Sequence, residues 1–235
     1  MSNAETLIQQ AVSLAGTDNY LAAVELLQQA IAMEPGNARA HFECGLALLS
    51  LDHDIDAVDQ FDQALAHDPA WPGAREWRAR ALGAMGEHRR AADGLLQELR
   101  MHPEGRHGGM GVDPRQWADC AEAYVRAGEC LLARELLDEY FRDHADKVSN
   151  YLKFETAPMR VLAQLLINAG ETRRAQELAA QAYTNPNRCP ADVLAYALSL
   201  EAMGDRDAAH SVCQEALELN HEMPGLSELN ARLQR

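Results

Sequence analysis

The sequence predicts an all-α protein, an α-solenoid of six helix-turn-helix units closed by a C-terminal capping helix. Three observations lead there: the composition, two columns of small residues repeating in step, and a matching column of turn residues. Hydrophobic residues fill 47% of the 235 positions, enough to bury a substantial core, while aromatic residues fill only 6%. Ala and Leu dominate long stretches in which β-branched residues are sparse, as packed helices require and sheets do not.

The columns set the period. Pro35, Pro69 and Pro103 lie 34 residues apart. In the same register stand Ala11, Gly45, Ala79, Ala121, Ala163 and Ala197, and again Ala23, Ala57, Ala91, Ala133, Ala175 and Ala209. Two antiparallel helices cross closely only where a side chain on each is nearly absent, and Ala and Gly supply that contact. Larger residues a turn away, Leu27, Phe61, Leu95 and Leu137, are expected to fill the space between neighbouring units. A further column runs through Leu14, Leu48, Leu82, Tyr124, Leu166 and Leu200. Asp18, Asp52, Gly86, Gly128, Gly170 and Gly204 then mark the reversal between the two helices of each unit. Proline at the end of a unit stops its second helix.

The units are expected near 4–37, 38–71, 72–105, 114–147, 156–189 and 190–223, as a single domain spanning 1–235. Two insertions interrupt the period. One, near 104–114, contains Gly105, Gly108, Gly109 and Gly111 and reads as a mobile loop. The other, near 148–157, contains Tyr151, Leu152 and Phe154 and reads as a helix extension or packed turn, with Thr156 and Pro158 starting the next helix. Residues 224–235 place Leu226, Leu229 and Leu233 at helical spacing and read as the cap.

These columns resemble the tetratricopeptide repeat, a 34-residue helix-turn-helix unit, from about Ala4 to Met223; Trp117, Cys120, Ala121, Tyr124 and Ala133 match its pattern well. The resemblance implies a right-handed solenoid that binds peptides or proteins without catalysis. Arg75 and Arg78 depart from it at usually apolar positions, and Glu98 and Tyr140 replace a small residue, so packing is expected to differ there. Some family members clamp a peptide carboxylate with Lys, Asn and Arg on successive first helices. The matching positions here are Ile8, Val12, Glu43, Gly73 and Trp77, so that clamp is absent and a co-chaperone for Hsp70 or Hsp90 tails is not implied.

The formal charge of -15 disfavours nucleic acid and anionic membranes as partners. Residues 1–71 hold eleven acidic residues against Arg39 alone, whereas 72–113 hold seven arginines against six acids. Five cysteines without a CxxC pair suggest neither a disulfide framework nor a zinc knuckle, and fit a reducing compartment. With no secretory pattern at the N-terminus and no long apolar run, a cytoplasmic location is expected.

No residue pattern supports an enzyme or a bound cofactor. The glycine-rich stretch Gly105–Gly111 lacks the GK[ST] ending of a phosphate loop and follows no strand. His102 and His107 have no neighbours completing a metal-ligand set. His41, His53, His67, His88 and His102 are expected near helix ends or on surface faces, and Cys44, Cys120 and Cys213 as small buried hydrophobes.

Placed by register, the inner wall of the first helices carries Ile8, Val12, Phe42, Leu46 and Leu49, then Glu76, Trp77, Arg80, Arg115, Asp119, Glu122 and Arg126. An apolar stripe giving way to charges suggests a peptide groove, with Phe42 and Trp77 as anchor and Arg80 and Arg115 holding acidic groups. Packing against neighbouring helices or a second copy is the competing reading of the same residues, and a homodimer through Ile8 and Val12 is one form of it. A regulatory subunit of an enzyme on another chain is a third.

Overall fold

The structure, a computed structural model, describes residues 2–101, 113–144, 155–219 and 224–234. All thirteen elements among them are α-helices, and none is a strand. The chain divides into two compact units, Met1–Met110 and Gly111–Arg235. Most of both insertions and the segment 220–223 lie outside the described residues, with the readings made of them above.

The first unit contains α1 (Asn3–Ala15), α2 (Tyr20–Met33), α3 (Ala38–Leu49), α4 (Asp54–His67), α5 (Ala74–Ala84) and α6 (His88–Met101). Each odd-numbered helix packs on the helix after it, and α2 on α3 and α4 on α5 continue the stack. The second unit contains α7 (Pro114–Arg126), α8 (Cys130–Asp143), α9 (Ala157–Asn168), α10 (Thr172–Tyr183), α11 (Pro190–Ala202), α12 (Arg206–Leu219) and α13 (Pro224–Leu233). Here α9 packs on both α7 and α8, α11 on α9 and α10, and α13 closes against α11 and α12.

The same local chemistry closes every hairpin. Asp18, Asp52, Gly86, Gly128, Gly170 and Gly204 all have positive φ, between 58° and 86°. The residue following each then donates its backbone N–H to the carbonyl of Leu14, Leu48, Leu82, Tyr124, Leu166 or Leu200, at 2.8–3.0 Å. This is the six-to-one bond that ends a helix when the chain turns left-handed. The turn column and the Leu/Tyr column are therefore two halves of one device. First helices α1, α3 and α7 begin on capping side chains: Ser2, Asn37 and Asp113 accept from the N–H of Glu5, Ala40 and Arg115.

The small-residue columns sit at the crossings. Every alanine in them is at most 4% exposed. Gly45 shows why the side chain must vanish: a Cβ built there would lie 2.7 Å from the ring of Phe61, itself fully buried. The largest member of the filling column thus faces the smallest member of the crossing column. Leu27 and Leu137 are buried as expected, whereas Leu95 is only partly so.

The departures in the third hairpin compensate one another. Arg75 on α5 and Glu98 on α6 are both buried and form an ion pair at 3.2 Å. Arg78 reaches across to both carboxylate oxygens of Asp62 on α4. Tyr140 is fully buried and packs on Trp117 with ring centroids 5.5 Å apart, and burial pushes its hydroxyl well above the usual tyrosine range. In the cap, Leu226 and Leu229 are buried against Ala197, Cys213 and Ala216, and Leu233 packs on the same cluster.

Candidate functional site

The two units treat their first helices differently. In the first, the expected inner-wall residues mostly complete the core. Ile8 is fully buried, which corrects its placement on an open wall and removes it from an exposed pairing surface. Its side chain lies in the cluster formed with Ala11, Ala23 and Leu27, because α2 and α3 close over that face of α1. Val12, Phe42, Leu46, Leu49 and Trp77 are half-buried and pack on the same cluster. Phe42 meets the rings of Phe61 and Trp71 at 5.8 and 6.0 Å, and the Arg80 guanidinium lies 5.0 Å above the Trp77 ring. Anchor and cation are thus engaged within the unit.

His41, expected near a helix end or on a surface face, stands in the first turn of α3. It is buried, with Nδ1 at 2.8 Å from Gln60 Oε1 and Nε2 at 2.9 Å from the Pro35 carbonyl, and its ring stacks on His67. A histidine held at both nitrogens serves the hairpin junction.

In the second unit the first helices α7, α9 and α11 leave an open groove of about 350 Å³. Val125, Val161, Leu165, Leu194 and Leu198 supply its apolar lining. Of the expected residues, Glu122 and Arg126 line it, while Arg115 and Asp119, farther back along α7, are not part of the lining. The charges of α7 pair along the helix, Arg115 with Asp119 at 2.8 Å and Arg126 with Glu122 at 3.2 Å. Arg160, Gln164, Leu194 and Leu198 were missed by the sequence reading. The signal for them was there: they hold the register positions of Phe42 and Leu46 in the fifth and sixth hairpins.

Arg160 is held from beneath. Its guanidinium donates to Asp192 Oδ1 at 3.3 Å and lies 3.8 Å from Glu122. Asp192 is fully buried, and its other oxygen accepts from the Thr156 hydroxyl at 2.8 Å and the Cys189 backbone N–H at 2.7 Å. Thr156 therefore begins α9, as its position suggested, but spends its hydroxyl on the start of α11. With both neighbouring carboxylates engaged, Arg160 presents little net charge to the groove. On α9, Gln164 donates to Asn168 at 3.2 Å, leaving amide groups along the wall.

None of the five cysteines is in a disulfide, and Cys44, Cys120 and Cys213 are buried as small apolar residues. Burial pushes the Cys44 and Cys213 thiols up to about 11, far from the range of a nucleophile. No group of acidic, His and Cys side chains among the described residues is arranged to hold a metal ion, and no described helix is long and apolar enough to cross a membrane.

Hairpins that nest through alanine crossings and end in left-handed turns define a helical-repeat protein. Residues 8–74 match the family model of the tetratricopeptide repeat. The solved structures agree on the fold. PilF of Pseudomonas aeruginosa superposes with a TM-score of 0.67 at 17% identity, covering 97% of both chains. PilW, a widely conserved type IV pilus biogenesis factor, gives 0.67 at 16%, covering 97% of this chain and 99% of its own. YrrB, a TPR protein with an unusual peptide-binding site, gives 0.60 at 15%, over 87% and 97%. The family match thus covers residues 8–74, and these neighbours, at 17% identity or less, show the same helical-repeat fold over nearly the whole chain. A search of curated protein sequences finds no match.

Proposed function

We propose that this chain is a non-catalytic interaction module that holds a polypeptide segment in the groove of α7, α9 and α11. The observation that carries the proposal is the groove itself: an open apolar lining of valines and leucines, bordered by the Gln164–Asn168 amides and the fixed guanidinium of Arg160. That combination fits an extended or helical segment with one or two medium-sized apolar side chains, its backbone bonded by the amides. Since Arg160 is compensated by Asp192 and Glu122, recognition rests on the apolar contact more than on a partner's carboxylate. The described peptide-binding site of YrrB supports a polypeptide occupant on this fold. Five cysteines without a CxxC pair, none of them in a disulfide, support a reducing, cytoplasmic setting.

The test is selection of peptides from a random phage library on the whole chain, followed by titration of the enriched sequences. Leu194→Glu/Leu198→Glu is expected to weaken their binding by at least about tenfold, ~1.4 kcal/mol, with the helical signal unchanged. Undiminished binding to that variant would remove the groove as the site.

A further inference from the structure

The second helices carry a pattern of their own, independent of the groove. Seventeen positions into successive hairpins, near the start of each second helix, stand Leu21, Ile55 and Arg89 in the first unit; one turn later stand Glu25, Asp59 and Asp93. In the third hairpin the arginine and acid neutralise each other along the helix, at 3.1 Å. The fifth hairpin does the same with Arg173 and Glu177, at 3.3 Å. In the first two hairpins the arginine is replaced by an aliphatic residue. Leu21 and Ile55 are 67% and 66% exposed, and neither Glu25 nor Asp59 has a cation partner among the described residues. Leu131 and Glu135 repeat the exchange once in the second unit, where Arg134 and Arg174 lie on the neighbouring turns and helix.

The surroundings in the first unit sharpen the contrast. Arg39, the sole Lys or Arg within residues 1–71, sits on α3 and is engaged by Glu5 and Glu43. The exposed face of α2 and α4 therefore has no arginine or lysine of its own, while Asp18, Asp52 and Asp56 add to its charge. The hydrogen bond to Asp18 and the charge of that carboxylate raise the Tyr20 hydroxyl above its ordinary range. An exposed aliphatic side chain with an uncompensated carboxylate one turn away, repeated at the hairpin spacing, combines a desolvation site with a charge that only a partner can neutralise.

We infer that the exposed face of α2 and α4 docks a basic amphipathic helix of another protein, its apolar side chains covering Leu21 and Ile55 and its Lys or Arg residues meeting Glu25 and Asp59. The charge complementarity is what selects this occupant: a second copy meeting it through the same face would bring its own acids against these.

The probe is a synthetic helical peptide with leucines at i, i+4 spacing and lysines on the flanking positions, titrated against the whole chain by calorimetry. Binding is expected to weaken at least about tenfold in Leu21→Ser/Ile55→Ser, in Glu25→Gln/Asp59→Asn, and when the peptide's leucines become serines. It should fall steeply with added salt and be unaffected by Leu194→Glu/Leu198→Glu, which separates this face from the groove. All four substituted residues are solvent-facing, so thermal melting serves as the folding control. Equal affinity for wild type and both face variants would overturn the inference, as would loss of binding in the groove variant alone. A self-associated chain that Leu21→Ser/Ile55→Ser dissociates in light scattering would also overturn it, by assigning the face to a second copy.

Discussion

At the scale of single residues, two glycines show how one atom can act through different physics. Gly45 lies inside α3, where alanine would ordinarily be the better helix former by about 1 kcal/mol. Its neighbour reverses the sign: the added Cβ would meet the Phe61 ring at 2.7 Å, and that ring is enclosed on all sides. Gly45→Ala is expected to destabilise by about 1–3 kcal/mol through overpacking. Gly128 has nothing within 4 Å of an added Cβ, but its φ is +80°. Gly128→Ala is expected to cost about 1 kcal/mol through the left-handed backbone alone. Urea unfolding measures both, and Phe61→Leu should rescue only the first.

At the scale of elements, the third hairpin replaces apolar packing with an internal charge pair. Arg75 and Glu98 lie 23 residues apart in sequence, and each would be untenable in its buried site without compensation. Arg75→Met removes the buried cation beside the Glu98 carboxylate and is expected to cost about 3–5 kcal/mol, whereas Arg75→Met/Glu98→Leu should recover most of that loss. A double-mutant cycle in urea checks it; equal losses in the single and double variants would mean the pairing is not what these residues provide. Asp192 plays a comparable part in the second unit, joining the starts of α9 and α11 and fixing Arg160 beside the groove.

At the scale of the whole molecule, stacking gives each hairpin an apolar face for the element that follows it, and α13 covers that of the sixth hairpin. Leu226 and Leu229 bury themselves against α11 and α12, and Gly225 lets the helix approach so closely that a Cβ there would meet Leu194 at 2.6 Å. Full burial of a leucine is worth about 1.5–3 kcal/mol, so removing residues 220–235 is expected to destabilise the second unit by roughly 3–6 kcal/mol. Amide hydrogen exchange would show the loss in α11 and α12 while α1–α6 keep their protection. Because Leu194 also lines the groove, the same truncation should weaken peptide capture, linking the cap to the proposed function.

The columns of alanine, glycine and aspartate were sufficient to define the helices, the turns and the crossings, because each depends on local rules that one residue type satisfies: no side chain at a crossing, positive φ at a reversal. The site was less legible. Register says which residues share a helix face, but not whether a neighbouring helix covers it. That is why Ile8 and Val12, four residues apart on α1, share a face by register while only Val12 is left partly open. It is also why Arg75 and Glu98 read as two separate irregularities until α5 and α6 brought them within 3.2 Å. Sequence alone determined the repeat and its closure; tertiary structure decided exposure, the pairing of distant charges and the position of the groove, since burial and charge compensation are properties of neighbours that a linear pattern does not name.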